Sequence, residues 1–180
     1  MESVTVSATD ISDAAALAAV AAQTFPLACP PSVTPEAIAA FVTDRLSADD
    51  FRAWLRDPRS AVLAVRTLDR IVGYALLIRD STDDAAVELS KFYLLNEFHG
   101  GDAAGALMAA VVSTCIDWAA DRIRLGVNQK NVRAQRFYAK QGFTIEGTRT
   151  FAIGDRLEQD FVMERTLHSG QPPECPTLAP

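Results

Sequence analysis

Apolar residues along the chain alternate in some stretches and recur at helical spacing in others, and the switches between the two patterns delimit the expected elements. Val4-Thr5-Val6-Ser7 alternates as a short strand, and Asp10-Ile11-Ser12-Asp13 supplies caps for an Ala-rich helix reaching about Gln23. The following segment 25–35 holds Pro26, Pro30, Pro31 and Pro35, and is expected not to continue that helix. Thr34-Pro35-Glu36 marks a new helix start, with Ile38, Phe41, Val42 and Leu46 at helical spacing. Ser47-Ala48-Asp49-Asp50 caps a short helix over 51–56. Apolar runs at 61–65 and 71–78 predict a hairpin, with Thr82-Asp83-Asp84 as the next turn. A strand is expected over 87–95, a long helix over 103–120, a strand over 123–127 and a helix over 132–141. Segments 143–151 and 157–166 close the chain as a hairpin about Gly154-Asp155. The order β-α-α-α-β-β-β-α-β-α-β-β predicts an α/β domain with a mixed sheet, in which helix 103–120 is a crossover connection.

Composition narrows this picture. A chain of 180 residues that is 49% hydrophobic can build one sizeable core. A single domain is expected over 1–167, followed by a disordered tail over 168–180 that holds Pro172, Pro173, Pro176 and Pro180. No apolar run approaches the roughly 20 residues of a membrane span, and the start MESVTVSATD lacks the basic and apolar regions of a signal peptide. A cytoplasmic location with no membrane partner is expected. A formal charge of -6 argues against nonspecific nucleic-acid binding. Cys29, Cys115 and Cys175 are an odd count without paired spacing and read as free thiols, and with His99 and His168 alone no metal constellation is expected.

Chemistry concentrates between Val87 and Phe143. The turn His99-Gly100-Gly101-Asp102-Ala103-Ala104-Gly105 runs straight into an apolar helix, so its free N–H groups at the positive end of the helix dipole suit an anion. Asp102 is expected to cap that helix with its carboxylate on the N–H groups of Ala104 and Gly105, competing with the anion for them. Strand alternation is expected to set Glu88, Ser90 and Phe92 on one side and Leu89, Lys91 and Tyr93 on the other. Asn131 stands where it can cap the helix over 132–141, and Tyr138 follows as a half-buried aromatic. Arg133 and Arg136 share that short helix. The Gly-x-Ser-x-Gly turn of the α/β hydrolases is absent.

The strand Glu88-Leu89-Ser90-Lys91-Phe92-Tyr93-Leu94, the glycine turn, the strand Ile123 to Val127, and Asn131-x-x-Ala134 followed by Phe137-Tyr138 and Gly142-Phe143 together resemble the core of the GNAT superfamily of N-acetyltransferases. The resemblance covers roughly 61–167. It implies a mixed, mostly antiparallel central sheet flanked by helices, acetyl-CoA as co-substrate, no metal, and acetyl transfer to a primary amine by direct attack. The family's loop reads Arg or Gln, then x-x-Gly-x, then Gly or Ala. His99, Asp102 and Ala104 stand at the matching positions, and only Ala104 keeps the pattern. By the same resemblance the backbone of Phe92 and Leu94 would pair with the pantetheine arm, and Gly100, Gly101, Ala103 and Gly105 would complete the phosphate turn. Asn131 would hydrogen-bond the arm, Tyr138 would protonate the leaving thiolate, and Glu88 would be the base. Phe151-Ala152-Ile153-Gly154-Asp155 with Asp160-Phe161-Val162-Met163 looks like the branch that acetylates spermine and spermidine, with Glu36, Asp44, Asp49, Asp50 and Glu88 available to a small amine substrate. The resemblance allows a homodimer. A protein N-terminus or lysine as acceptor, or a binding module with impaired catalysis, are the alternatives.

Overall fold

A computed structural model describes residues 3–68, 70–80, 82–83 and 85–167; the segment 168–180 and Cys175 lie outside the described residues. The elements are β1 (Thr5–Ala8), α1 (Ala14–Ala28), α2 (Pro35–Arg45), α3 (Ala48–Arg56), β2 (Ser60–Arg66), β3 (Ile71–Arg79), β4 (Ala86–Leu94), α4 (Ala103–Asp117), β5 (Arg122–Asn128), α5 (Val132–Lys140), β6 (Thr144–Ile153) and β7 (Arg156–Thr166). Short 3-10 turns at Ile11–Asp13 and Asn96–Phe98 precede α1 and follow β4. The seven strands form one sheet in the order β1-β2-β3-β4-β5-β7-β6. Every neighbouring pair is antiparallel except β4 and β5, which the α4 crossover joins in parallel.

Local chemistry explains most boundaries. Thr34 caps α2 through Ala37 N–H with Pro35 in the first turn, where its missing N–H has no helical partner to lose. Ser47 and Asp50 form a reciprocal capping box at the start of α3. Two helix ends differ from the sequence pattern. Helix α1 does not stop near Gln23 but carries Pro26 inside its last turn and ends at Ala28. Phe25 is buried there and stacks on Phe41 of α2 at 4.5 Å between ring centroids, so packing holds the turn that Pro26 weakens. Together with the preceding 3-10 turn, residues Ile11–Ala28 make an 18-residue helical run long and apolar enough, by length and composition, to cross a membrane. This revises the expectation that no run comes near that length. In the fold, Leu17, Val20, Ala21 and Phe25 of the run are buried in the core.

Helix α4 ends at Asp117 rather than Ala120 because Ala119 enters the left-handed region at φ 57°. Ala119 N–H reaches Ile116 O and Ala120 N–H reaches Cys115 O, which is a Schellman closure built on alanine instead of glycine. Arg79 lies over the Trp118 ring at 4.6 Å and fixes the same corner. The core on the α1 and α3 side centres on Tyr74, with Phe51 edge-on at 5.3 Å and Leu17 and Leu46 fully buried. Leu107, Met108, Val111 and Cys115 of α4 are buried against the sheet.

Candidate active site

The site begins with a strand that leaves its neighbour. Pairing between β4 and β5 covers Ala86↔Arg122, Val87↔Ile123 and Glu88↔Arg124, and then stops. On the other edge of β4, Leu77 faces Leu89 and Leu76 faces Lys91, so Ser90 is an extra residue with no partner on β3. Such a bulge bends and twists the strand, and it coincides with the point where β4 and β5 separate. It also overturns the expected alternation. Glu88 and Ser90 border one cavity as expected, but beyond the bulge Lys91 and Tyr93 border it too, whereas Phe92 turns to α5 and meets Phe137 at 5.5 Å. Beyond the bulge, Leu95 N–H bonds Val72 O on β3, so the alternate residues Phe92 and Leu94 direct their N–H and C=O groups into the splay. His99 Nε2 lies 2.9 Å from Leu94 O.

The turn into α4 presents unpaired donors. Gly100 takes a φ of 78°, which a glycine adopts without cost, and Asp102 is helical at φ -74°. Asp102 makes no side-chain cap bond; only its backbone carbonyl is used, by Ala106 N–H. The expected capping by its carboxylate is therefore corrected, since a residue already in the helical region cannot fold its side chain back onto those N–H groups. The N–H groups of Ala103, Ala104 and Gly105 remain without helical partners. The space beside Gly100, Gly101 and Gly105 is open, as an added methyl group would touch nothing within 4 Å. His99 and Arg133 join this turn to α5, with Arg133 Nη1 2.7 Å from His99 Nδ1. Arg133 acts as donor, so Nδ1 is the acceptor and Nε2 carries the proton given to Leu94 O. Burial first, and then the charge of Arg133, hold the His99 pKa below its ordinary value.

Asn131 caps α5 through Ala134 N–H, at 3.1 Å, which leaves its amide N–H groups free. Tyr138 is buried among Phe92, Phe137 and Phe143, with ring centroids 6.2, 5.5 and 5.8 Å away. Burial pushes the Tyr138 pKa well up, so its phenol stays protonated. Leu94, His99, Asn131 and Tyr138 line one cavity of about 200 Å³.

Arg149 was not singled out from the sequence, yet it organises the floor of this cavity. From β6 it crosses β7 and β5 to reach β4, where its Nη1 donates to Glu88 Oε1 at 2.9 Å. Its path is open because Gly126 of β5 has no side chain; a Cβ there would overlap the guanidinium. A glycine inside a strand is the sequence signal of such a close approach. Asp160, opposite Arg149 on β7, lies 3.9 Å from its Nε. Burial raises the Asp160 pKa, Arg149 opposes that, and Glu158 adds to it. Tyr93 also has its pKa raised by burial. A second cavity of about 350 Å³ adjoins the first and shares Phe25, Ser90, Lys91, Tyr93, Arg149 and Phe151 with it. Lys91 lies over the Trp54 ring at 4.8 Å, and burial lowers its pKa against the opposing charges of Asp50 and Glu88. The turn after α1 is pinned beside these cavities by Glu158, which accepts from Ser32 Oγ at 2.6 Å and from Lys130 Nζ at 3.0 Å.

A family model described as an acetyltransferase (GNAT) domain matches residues 29–156. An uncharacterized N-acetyltransferase of Mycobacterium tuberculosis is 60% identical over 157 residues, covering 87% of this chain and 99% of its own. Among solved structures, the PaiA N-acetyltransferase of Thermoplasma acidophilum, in complex with coenzyme A, superposes with a TM-score of 0.79 at 20% identity, over 92% of this chain and 99% of that one. A GCN5-related N-acetyltransferase of Rhodopseudomonas palustris gives a TM-score of 0.74 at 19% identity, over 93% and 98% of the two chains. Those structures share the fold, and the family model spans the β4–β5 splay, the α4 turn and Tyr138 of this chain. The chain belongs to the GNAT family of N-acetyltransferases.

Proposed function

We propose that the protein transfers acetyl from acetyl-CoA to a primary amine by direct attack of the amine nitrogen on the thioester carbon. The observation that carries this reading is one cleft lined by the free edge of β4, by His99 at the turn that leads into the open N-terminus of α4, and by the buried Tyr138. In this reading the N–H groups of Ala103, Ala104 and Gly105 hold the pyrophosphate, with Gly100 and Gly101 giving it room. The Phe92 and Leu94 backbone pairs with the pantetheine arm as an added strand, and the Asn131 amide donates to it. His99 works indirectly, by fixing the end of β4 and holding Arg133 near the phosphates.

Attack places negative charge on the thioester oxygen and then on sulfur. The Leu94 N–H, directed into the splay, is suited to the first charge, and the Tyr138 hydroxyl gives its proton to the departing thiolate. Burial keeps that proton in place until the thiolate forms. The base at the amine is one of the two carboxylates beside Arg149, Glu88 or Asp160. A polyamine is a narrower reading, supported by the likeness of the Gly154-Asp155 hairpin and the Asp160 strand to the spermine and spermidine branch. Of the carboxylates available to it, Asp49 is paired with Arg52, Asp50 with Ser47 and Glu88 with Arg149.

The test is release of free CoA thiol from acetyl-CoA on addition of primary amines, with the acetylated amine identified by mass. Amine-dependent thiol release supports transfer. Saturable acetyl-CoA binding without release across amines, peptides and lysine-bearing proteins favours a binding module instead.

A further inference from the structure

We propose that Asp160 is the carboxylate that receives the acceptor, and that the acceptor is a primary monoamine on an apolar body of aromatic size; this rests on the acetyl transfer proposed above. Asp160 is 7% exposed and borders the cavity that also holds Tyr93, Tyr138 and Cys29. Among the described residues no hydrogen bond reaches its carboxylate. The nearest cation, Arg149 Nε, is 3.9 Å away because the guanidinium is turned to Glu88. A carboxylate drawn most of the way out of water with no hydrogen-bond donor is costly, and it persists where a ligand supplies what is missing. An ammonium supplies both charge and N–H donors.

The groups facing Asp160 come from every side. Arg149 approaches from β6, Glu158 from β7 itself, Tyr93 from β4, Cys29 from the end of α1 and Tyr138 from α5, while Glu88 of β4 holds the other side of the Arg149 guanidinium. Glu88 already accepts from Arg149 and Glu158 from Ser32 and Lys130, so Asp160 is the carboxylate of this group left without a donor. The phenols of Tyr93 and Tyr138 stay neutral through burial, and burial raises the Cys29 thiol to about 11.

The adjoining cavity identifies the rest of the acceptor. Phe25 stacks on Phe41 at 4.5 Å, and Phe151 meets Phe41 edge-on at 5.9 Å, which makes an aromatic wall. The same cavity contains the cations Lys91 and Arg149 and one carboxylate, Glu88, which already accepts from Arg149, so one positive charge is left in excess. A second ammonium on the acceptor would face those cations, whereas an aromatic or branched alkyl body would bury apolar area against the rings.

The step balances as follows. Asp160 takes one proton from the acceptor ammonium, and the neutral amine forms the new N–C bond at the thioester carbon. The C–S bond then breaks and its electron pair leaves on sulfur. Tyr138 gives that thiolate a proton and recovers one from the acetylated nitrogen, so amide and free thiol are released. The proton on Asp160 passes to solvent.

Two measurements on the full chain test this. In the first, thermal unfolding of wild type and Asp160→Asn is compared across pH. An unpaired buried carboxylate with a raised pKa costs the folded state stability as pH rises through that value, so Asp160→Asn should melt higher than wild type at pH 8 and equal to it at pH 4. A lower melting temperature at pH 8 shows Asp160 to be a structural partner of Arg149 and overturns the proposal. In the second, acetylation of 2-phenylethylamine and of spermidine is measured for wild type, Asp160→Asn and Asp160→Glu, with acetyl-CoA affinity by titration calorimetry. The expected result is a kcat/KM at least about tenfold higher for 2-phenylethylamine. Asp160→Asn should lose about 100-fold of it, the scale of a general base, and Asp160→Glu less, with acetyl-CoA affinity within about twofold throughout. Preference for spermidine overturns the monoamine assignment. Unchanged turnover in Asp160→Asn, or wild type that binds acetyl-CoA yet acetylates neither amine, overturns the role of Asp160. Wild type that fails to bind acetyl-CoA contradicts the acetyl transfer itself and with it this proposal.

Discussion

Arg149 lies directly on Gly126, and that contact lets a side chain from β6 cross two strands to hold Glu88 on β4 at 2.9 Å. The guanidinium fills the floor of the wedge where β4 and β5 part, between the open strand edge and the aromatic cavity. Its position determines which carboxylate near the cleft is already satisfied.

Gly126→Ala displaces Arg149 without changing a charge. Because misplacement on the scale of one ångström costs about 100-fold in rate, kcat/KM for the amine should fall by roughly that factor while acetyl-CoA affinity stays within about twofold. Steady-state kinetics with titration calorimetry checks both. Unchanged kinetics would show that Arg149 is a surface ion pair with no part in the site.

Tyr138→Phe removes the proton donor at thiolate departure and little ground-state contact. Turnover should fall by about 100-fold or more, with KM for acetyl-CoA nearly constant. Loss of acetyl-CoA affinity at normal turnover would assign Tyr138 a packing role only.

Asn131 has two functions that substitutions separate. Asn131→Ala loses the cap on α5, about 1 kcal/mol, and the amide donors to the CoA arm. Asn131→Asp keeps an acceptor for Ala134 N–H and loses the donors. Chemical denaturation should therefore find the alanine variant alone destabilised, while calorimetry should find acetyl-CoA binding weakened in both. Equal affinity in all three proteins would remove Asn131 from the binding site.

The clamp on the turn after α1 is sensitive to acid. Hydrogen bonds from Ser32 first, and then from Lys130, hold the Glu158 pKa below its ordinary value. A carboxylate depressed in the folded state contributes stability above its unfolded pKa of about 4.3, and that contribution is lost as pH falls through the lower folded value. Wild type should melt above Glu158→Gln at pH 7, with the gap closing as acid protonates the carboxylate in the folded state. A gap independent of pH would mean that Glu158 acts by shape alone.

β2 and β3 are legible as short apolar runs bounded by turn residues, β1 by its alternation, and α2, α3 and α5 because Thr34, Ser47 and Asn131 stand at their caps. Helix α1 outran its pattern because the stacking of Phe25 on Phe41 depends on a second helix that no local signal reveals. Nothing in Ala119 announces a left-handed residue, so α4 ends three positions before the pattern predicts (117 against 120). The bulge at Ser90 is invisible because Leu89-Ser90-Lys91 alternates like any strand, and the extra residue exists only relative to β3. Positions 92, 94, 131 and 138 are proposed from a motif compact in sequence. Arg149 and Glu88 are 61 residues apart, and their meeting depends on the register of β5, β7 and β6. The glycine of Ile123-Arg124-Leu125-Gly126-Val127 was the one local trace of it.

The most direct test of the account is titration calorimetry of acetyl-CoA into the wild-type protein, paired with thermal unfolding over the same concentrations. One saturable site per chain is expected, competed by free CoA, with the folded state gaining about 2.7 kcal/mol when ligand is a hundredfold above its Kd. No saturable heat and no rise in melting temperature up to millimolar acetyl-CoA would contradict the assignment of the β4–β5 splay and the α4 turn as an acyl-CoA site.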